Sequence, residues 1–167
     1  MSAHEQLRAN LSVVAERSAT IAKACKNEES TKLYLVLPVL GALGYNFSDP
    51  HEVQPEYAAD FREEQANRVD FAIMRDGLPV IAVECKKTGS DLIGNRGQLR
   101  SYFSALLTVK LGILTNGMRF KFFVDCDEPN VMDEEPFVLS ERSQGTALRL
   151  HRRRERVRQV RVPGAHR

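Results

Sequence analysis

The chain has 167 residues, about one domain's worth, and its 43% hydrophobic and 28% charged content excludes disordered and fibrous classes. Its formal charge of +2 conceals an acidic body, with 16 Lys/Arg against 21 Asp/Glu in residues 1–143, and a basic tail of eight Arg and one Glu from Gln144 to Arg167, so net charge carries no nucleic-acid signal. The apolar run Leu33–Leu43 is too short to span a bilayer and no export signal precedes it, while three scattered cysteines without zinc spacing argue for reduced thiols in a cytoplasm.

Leu7, Leu11, Val14, Ser18, Ile21 and Cys25 recur at steps of four and three, which predicts an amphipathic helix. After Lys26–Glu29, Ser30 or Thr31 is expected to cap a second helix running to Leu43 and ended by Gly44. Its segment Leu33–Leu40 is apolar on every face, so a strand competes, and Pro38 would distort a helix interior. Val53–Phe61 reads as extended after the turn residues Ser48, Asp49 and Pro50. Arg68–Met74 and Val80–Lys86 read as a hairpin around Arg75–Pro79. Leu92, Leu99, Phe103 and Leu106 mark a further helix, and Leu111–Leu114 and Phe120–Val124 two strands about Thr115-Asn116-Gly117. From Gln144 apolar periodicity fades, so residues 1–143 are expected to form one domain and 144–167 a flexible, Arg-rich tail, a solvated helix or disorder.

The chemistry concentrates on the hairpin. Side chains alternate faces along a strand, so Glu84 and Lys86 share a face and Cys85 points away. A loop Asp76-Gly77-Leu78 would pair residue 75 with 79 and, continuing, Asp70 with Glu84. A two-residue Asp76-Gly77 loop would instead turn Asp70 to the other face unless a bulge compensates. Opposed carboxylates repel, and a divalent cation relieves that repulsion. Mg²⁺ takes oxygen ligands and keeps several waters, so Asp70, Glu84 and the Cys85 carbonyl could hold it, with Lys86 orienting a water for phosphodiester hydrolysis. The competing reading is a solvated face with a weak Glu84–Lys86 pair. Against it, Val80-Ile81-Ala82-Val83 is apolar on both faces, as in a covered strand, so the charges sit where such a strand emerges.

Beyond the triad, Glu28-Glu29-Ser30-Thr31-Lys32 with Leu35–Pro38 and Ala42–Tyr45, Val53–Tyr57, Val69-Asp70, Val83-Glu84-Cys85-Lys86, Gln98–Phe103 and Gly112–Gly117 occur in this order. In these motifs the chain resembles the N-terminal nuclease domain of type I restriction enzyme restriction subunits, a branch of the PD-(D/E)xK superfamily. The resemblance covers about Asn27 to Leu139. It implies an α/β fold with a restriction-endonuclease-like mixed sheet flanked by helices, and Mg²⁺-dependent DNA cleavage in which Mn²⁺ can replace Mg²⁺. It also implies specificity or motor subunits as partners and makes Glu28 an additional helix-borne acid, with Glu29 the alternative register. Gln98 and Tyr102, four apart, would face the active site or DNA backbone together, with Tyr102 packed in the core and Gln98 capping a strand end as the competing readings. Lys87, Arg96 and Arg100 are candidate phosphate contacts, with a solvated face as the competing reading. Two features depart from the family. No GxxxxGK[ST] loop occurs, so ATP-driven translocation does not reside in these residues, and the Arg-rich ending does not resemble the family's continuation. The rival to a nuclease is a catalytically inactive module of the same fold that binds nucleic acid or a subunit.

Overall fold

The computed structural model describes residues 2–58, 68–141 and 149–152. The first helix, α1 (Ala3–Ile21), begins at a capping box in which Ser2 accepts from the Glu5 amide and Glu5 accepts from the Ser2 amide. The predicted stripe faces inward at Leu11, Val14 and Ser18, and reaches buried Cys25 through the 3₁₀ turn Ala22–Ala24.

The second helical segment starts earlier than expected. Asn27, rather than Ser30 or Thr31, is the cap of α2 (Glu28–Thr31), accepting from the Ser30 amide at 2.8 Å while Ser30 Oγ accepts from the Asn27 amide at 3.2 Å. A π-helical turn, Lys32–Val36, follows before α3 (Leu37–Ala42). The wider turn absorbs Pro38, which then lies in the first turn of α3 where its missing N–H costs little. The strand alternative for Leu33–Leu40 is thereby excluded, and the helix ends at Gly44 with φ +99° as expected.

Among the described residues seven strands form one sheet in chain order: β1 (Val53–Ala58), β2 (Arg68–Arg75), β3 (Leu78–Cys85), β4 (Leu111–Thr115), β5 (Arg119–Phe123), β6 (Val138–Glu141) and β7 (Arg149–Arg152). Strands β3 and β4 run parallel, joined by the crossover helix α4 (Arg96–Ala105), and the other neighbouring pairs among these seven are antiparallel, so the sheet is mixed. Strand β1 stops at Ala58, and residues 59–61 of the predicted extended segment lie outside the described residues. Within the tail, Arg149–Arg152 forms a strand paired with β6. Residues 144–148 and 153–167 of the tail lie outside the described residues.

The hairpin resolves the register question through a bulge. Asp76 (φ 52°) and Gly77 (φ 76°) form a two-residue turn, setting Arg75 opposite Leu78 rather than Pro79. The register then shifts between Ile73 and Met74, restoring Ile73↔Ile81, Ala72↔Ala82 and Phe71↔Val83. The paired register ends at Phe71↔Val83, one step short of Asp70 and Glu84.

Both faces of the central strands are covered, as Val80–Val83 implied. Ala72, Ala82 and Leu114 pack under α4 with Leu99 and Phe103, whereas Phe71, Ile73, Val83 and Ile113 pack under α3 with Val36 and Leu40. Gly117 (φ +80°) closes the β4–β5 turn against the π turn, and a Cβ there would stand 2.6 Å from Leu35 Cβ. Gly117→Ala is therefore expected to destabilise the fold by about 1–2 kcal/mol from left-handed backbone alone, with the steric clash adding to it. Urea unfolding monitored by circular dichroism measures this.

Candidate active site

Strands β2 and β3 part beyond Phe71↔Val83, and the Asp70 side chain takes over from the ladder. Its Oδ2 accepts the Cys85 amide at 2.6 Å, closing the fork between the two strands. Glu84 is 1% exposed, level with Leu114 of β4, and its Oε1 is 2.7 Å from Lys86 Nζ. Glu84 Oε2 is buried with no hydrogen-bond partner. Loss of water pushes the Glu84 carboxyl up to about 7; the hydrogen bond from Lys86 opposes this, and the charges of Asp70 and Glu28 add to it. Burial alone would lower the Lys86 ammonium, but its bond to Glu84 outweighs that and the net direction is up.

Lys86 also reaches Gln98 Oε1 at 3.4 Å, and Gln98 Nε2 donates to Tyr102 Oη at 3.1 Å. The helical i, i+4 spacing on α4 thus delivers one member to the site and the other to the core. Tyr102 is fully buried, and its hydroxyl donates to the Arg68 carbonyl. Burial first of all pushes its phenol up to about 12, so it stays neutral. Of the two readings of Tyr102, DNA or active-site contact and core packing, its surroundings match the second: its ring belongs to the core, and its hydroxyl holds Gln98 and the start of β2.

Glu28 opens α2, whose position is fixed where Thr31 Oγ1 accepts the Thr88 amide at 3.0 Å, just beyond Lys86. From there its charge raises Glu84, Cys85 and Lys86 alike, whereas Glu29 is spent on Lys32 at 2.9 Å. Of the two adjacent acids, Glu28 is the one whose charge acts on Glu84, Cys85 and Lys86. Cys85 is fully buried on the α3 side, its thiol driven far upward by desolvation, so its side chain is inert and only its main chain is available. Lys87 is exposed next to the triad. Arg100 and Arg96 both engage Glu134, Arg100 at 2.8 Å, so they form a surface network on the outer side of α4.

Lys32 was not anticipated. Its Nζ lies 2.5 Å from Asp70 Oδ1, 2.9 Å from Glu29 and 3.3 Å from Glu56, and its side chain is only 10% exposed. Because Leu33–Leu40 is apolar all round, no periodicity gave the phase of residue 32, and the π turn could not be read from it. The signal available was the Glu-Glu-Ser-Thr-Lys run itself, whose lysine had no assigned role.

Oxygen donors dominate the centre, which suits a hard divalent cation. Among the described residues no three His, Cys, Asp or Glu side chains form a metal-holding group. A cation there would rely on two carboxylates completed by the main chain, water or a phosphate, and the unpartnered Glu84 Oε2 provides a ready ligand atom. Among the described residues no helix is long and apolar enough to cross a membrane.

Comparison with curated proteins and with solved structures finds no match. A family model for the type I restriction enzyme R protein N terminus matches residues 40–135. That span carries Asp70, Glu84, Lys86 and Gln98 but begins after Glu28 and Lys32. With more than half of the chain matched, this protein belongs to the family of type I restriction enzyme R protein N termini.

Proposed function

We propose that this chain is a Mg²⁺-dependent DNA endonuclease domain of the PD-(D/E)xK kind that hydrolyses phosphodiester bonds in a restriction system. The observation that carries the reading is Glu84: a buried carboxylate with one oxygen on Lys86 and the other without a partner, beside the charge of Asp70. An acid so placed costs stability, and a bound cation would offset that cost. Asp70, Glu84 and the Cys85 carbonyl would hold Mg²⁺, or Mn²⁺ in its place. When bound, the ion would neutralise the carboxylates and polarise the scissile phosphate as a Lewis acid.

The remaining roles follow from contacts of the chain itself. Lys86, held between Glu84 and Gln98, can orient an attacking water and offset the negative charge that develops at phosphorus. Gln98, braced by Tyr102, positions Lys86. Glu28 adds negative charge that favours a cation. Lys87 is the exposed cation nearest the triad in sequence and is assigned to the DNA backbone, with Arg96 and Arg100 farther out. The domain would act in the cytoplasm, with specificity or motor subunits choosing where it acts.

One observation favours a second reading, a non-catalytic module of the same fold: Lys32 already neutralises Asp70. Incubating the purified chain with plasmid and oligonucleotide DNA in Mg²⁺, Mn²⁺ or EDTA separates the two. The nuclease reading expects nicked or linear products that vanish with EDTA. Intact DNA at every metal concentration, together with retained DNA or subunit binding, would establish the module instead.

A further inference from the structure

We propose that Lys32 is the built-in counter-ion of this centre, occupying Asp70 in the absence of metal and competing with the divalent ion for it. The inference rests on the metal-site reading above and adds a residue outside the matched family span. Three observations carry it.

First, the Lys32 ammonium is shared among three carboxylates, and the shortest contact goes to Asp70, a proposed ligand, at 2.5 Å. Second, two uncommon backbone features aim at that contact. The π turn Lys32–Val36 begins at Lys32, and removing its extra residue would rotate the preceding turn by about 100° relative to α3. Glu56, in β1 between the pairs Pro55↔Phe71 and Tyr57↔Val69, adopts φ 49°, unusual for a non-glycine strand residue. Its side chain accepts from the Lys32 ammonium at 3.3 Å. Third, the contact lies on the wall of an open cleft lined by Asn27, Glu29, Pro55 and Glu56 as well as Lys32 and Asp70, so an ion from solvent and the lysine have access to the same carboxylate.

The consequence is electrostatic. A cation this close to Asp70 repels a second one, so removing its charge should tighten metal binding, whereas a lysine that merely orients Asp70 for the metal would, when removed, weaken it. Mn²⁺ binding to the full chain, followed by electron paramagnetic resonance of the free ion, distinguishes these. Lys32→Met and Lys32→Gln are expected to bind Mn²⁺ roughly tenfold more tightly or better, and Lys32→Arg, which keeps the charge, no more tightly than wild type. Glutamine keeps a donor toward Asp70, so it tests charge even if methionine perturbs folding. In EDTA both neutral variants should melt lower than wild type, because Asp70, Glu29 and Glu56 lose their shared cation, and saturating Mn²⁺ should restore more of that loss than it adds to wild type.

Equal or weaker Mn²⁺ binding by Lys32→Gln, with wild-type binding that depends on Asp70, would overturn the counter-ion role and leave the metal site standing. Binding that ignores Asp70→Asn would overturn both. No binding by wild type but Asp70-dependent binding by Lys32→Gln would support the competition outright, and no binding by either would refute it.

Discussion

Replacing Asp70, Glu84 or Lys86 by Ala is expected to lower DNA cleavage by at least about 10²–10³-fold each, the usual cost of removing one preorganised charged group from a reacting centre. Each loss has its own origin. Asp70→Ala removes a ligand and also the acceptor that closes the β2–β3 fork at the Cys85 amide. Glu84→Ala removes the acid that Lys86 pairs with, leaving the ammonium to be held by Gln98 at 3.4 Å. Lys86→Ala leaves Glu84 buried without its counter-charge and should raise its pKa further. Because the three act as one unit, a double or triple variant should lose little beyond the worst single one. Cleavage rates under saturating Mg²⁺, with circular dichroism to show that the fold persists, check this. Unchanged rates in all three variants would remove the centre from consideration.

The second large effect concerns stability and pH. The Glu84 carboxyl titrates near 7 in the folded chain against an ordinary 4.5, so between these values the folded state binds more protons than the unfolded one. Stability should then fall as pH rises from about 4.5 to about 7, by on the order of 3 kcal/mol at roughly 1.4 kcal/mol per pH unit, and level off above. Glu84→Gln, which cannot ionise, should lack this slope and be more stable than wild type at pH 8 while failing to cut DNA. Urea unfolding of the two proteins across pH 4.5–8 in EDTA gives the difference directly, with other titrating groups cancelling. Added Mg²⁺ should flatten the wild-type slope, since a bound cation favours the ionised carboxylate. A wild-type curve parallel to that of Glu84→Gln would show that burial does not hold Glu84 protonated.

These expectations depend on a hairpin that was legible in the sequence only up to its register. The two strand-like runs Arg68–Met74 and Val80–Lys86, spaced by Arg75–Pro79, marked a hairpin, and the apolar run Val80–Val83 showed that both faces would be covered. Which carboxylate faces which depended on one inserted residue, and a bulge leaves no compositional trace at Ile73 and Met74. The helical half was less legible for a related reason. An amphipathic stripe reports phase only where one face is polar, so α1 and α4 could be read, while Leu33–Leu40 hid the π turn that sets Lys32. Gln98 and Tyr102 share a helix face by spacing alone, yet depth separates them: Gln98 reaches Lys86, and Tyr102 ends on the Arg68 carbonyl inside the core. Strand β7 escaped because Arg149–Arg152 carries the basic composition of a solvated tail, and its pairing with β6 comes from backbone hydrogen bonds that composition does not encode.

The most direct test of the metal centre is an anomalous difference map from crystals of the chain grown with Mn²⁺. One peak is expected at the β2–β3 fork, with carboxylate oxygens of both Asp70 and Glu84 at about 2.0–2.6 Å from it and the Lys32 ammonium displaced from Asp70. A fork without a peak, with Asp70 still on Lys32 and Glu84 still on Lys86 at saturating Mn²⁺, would contradict the metal centre.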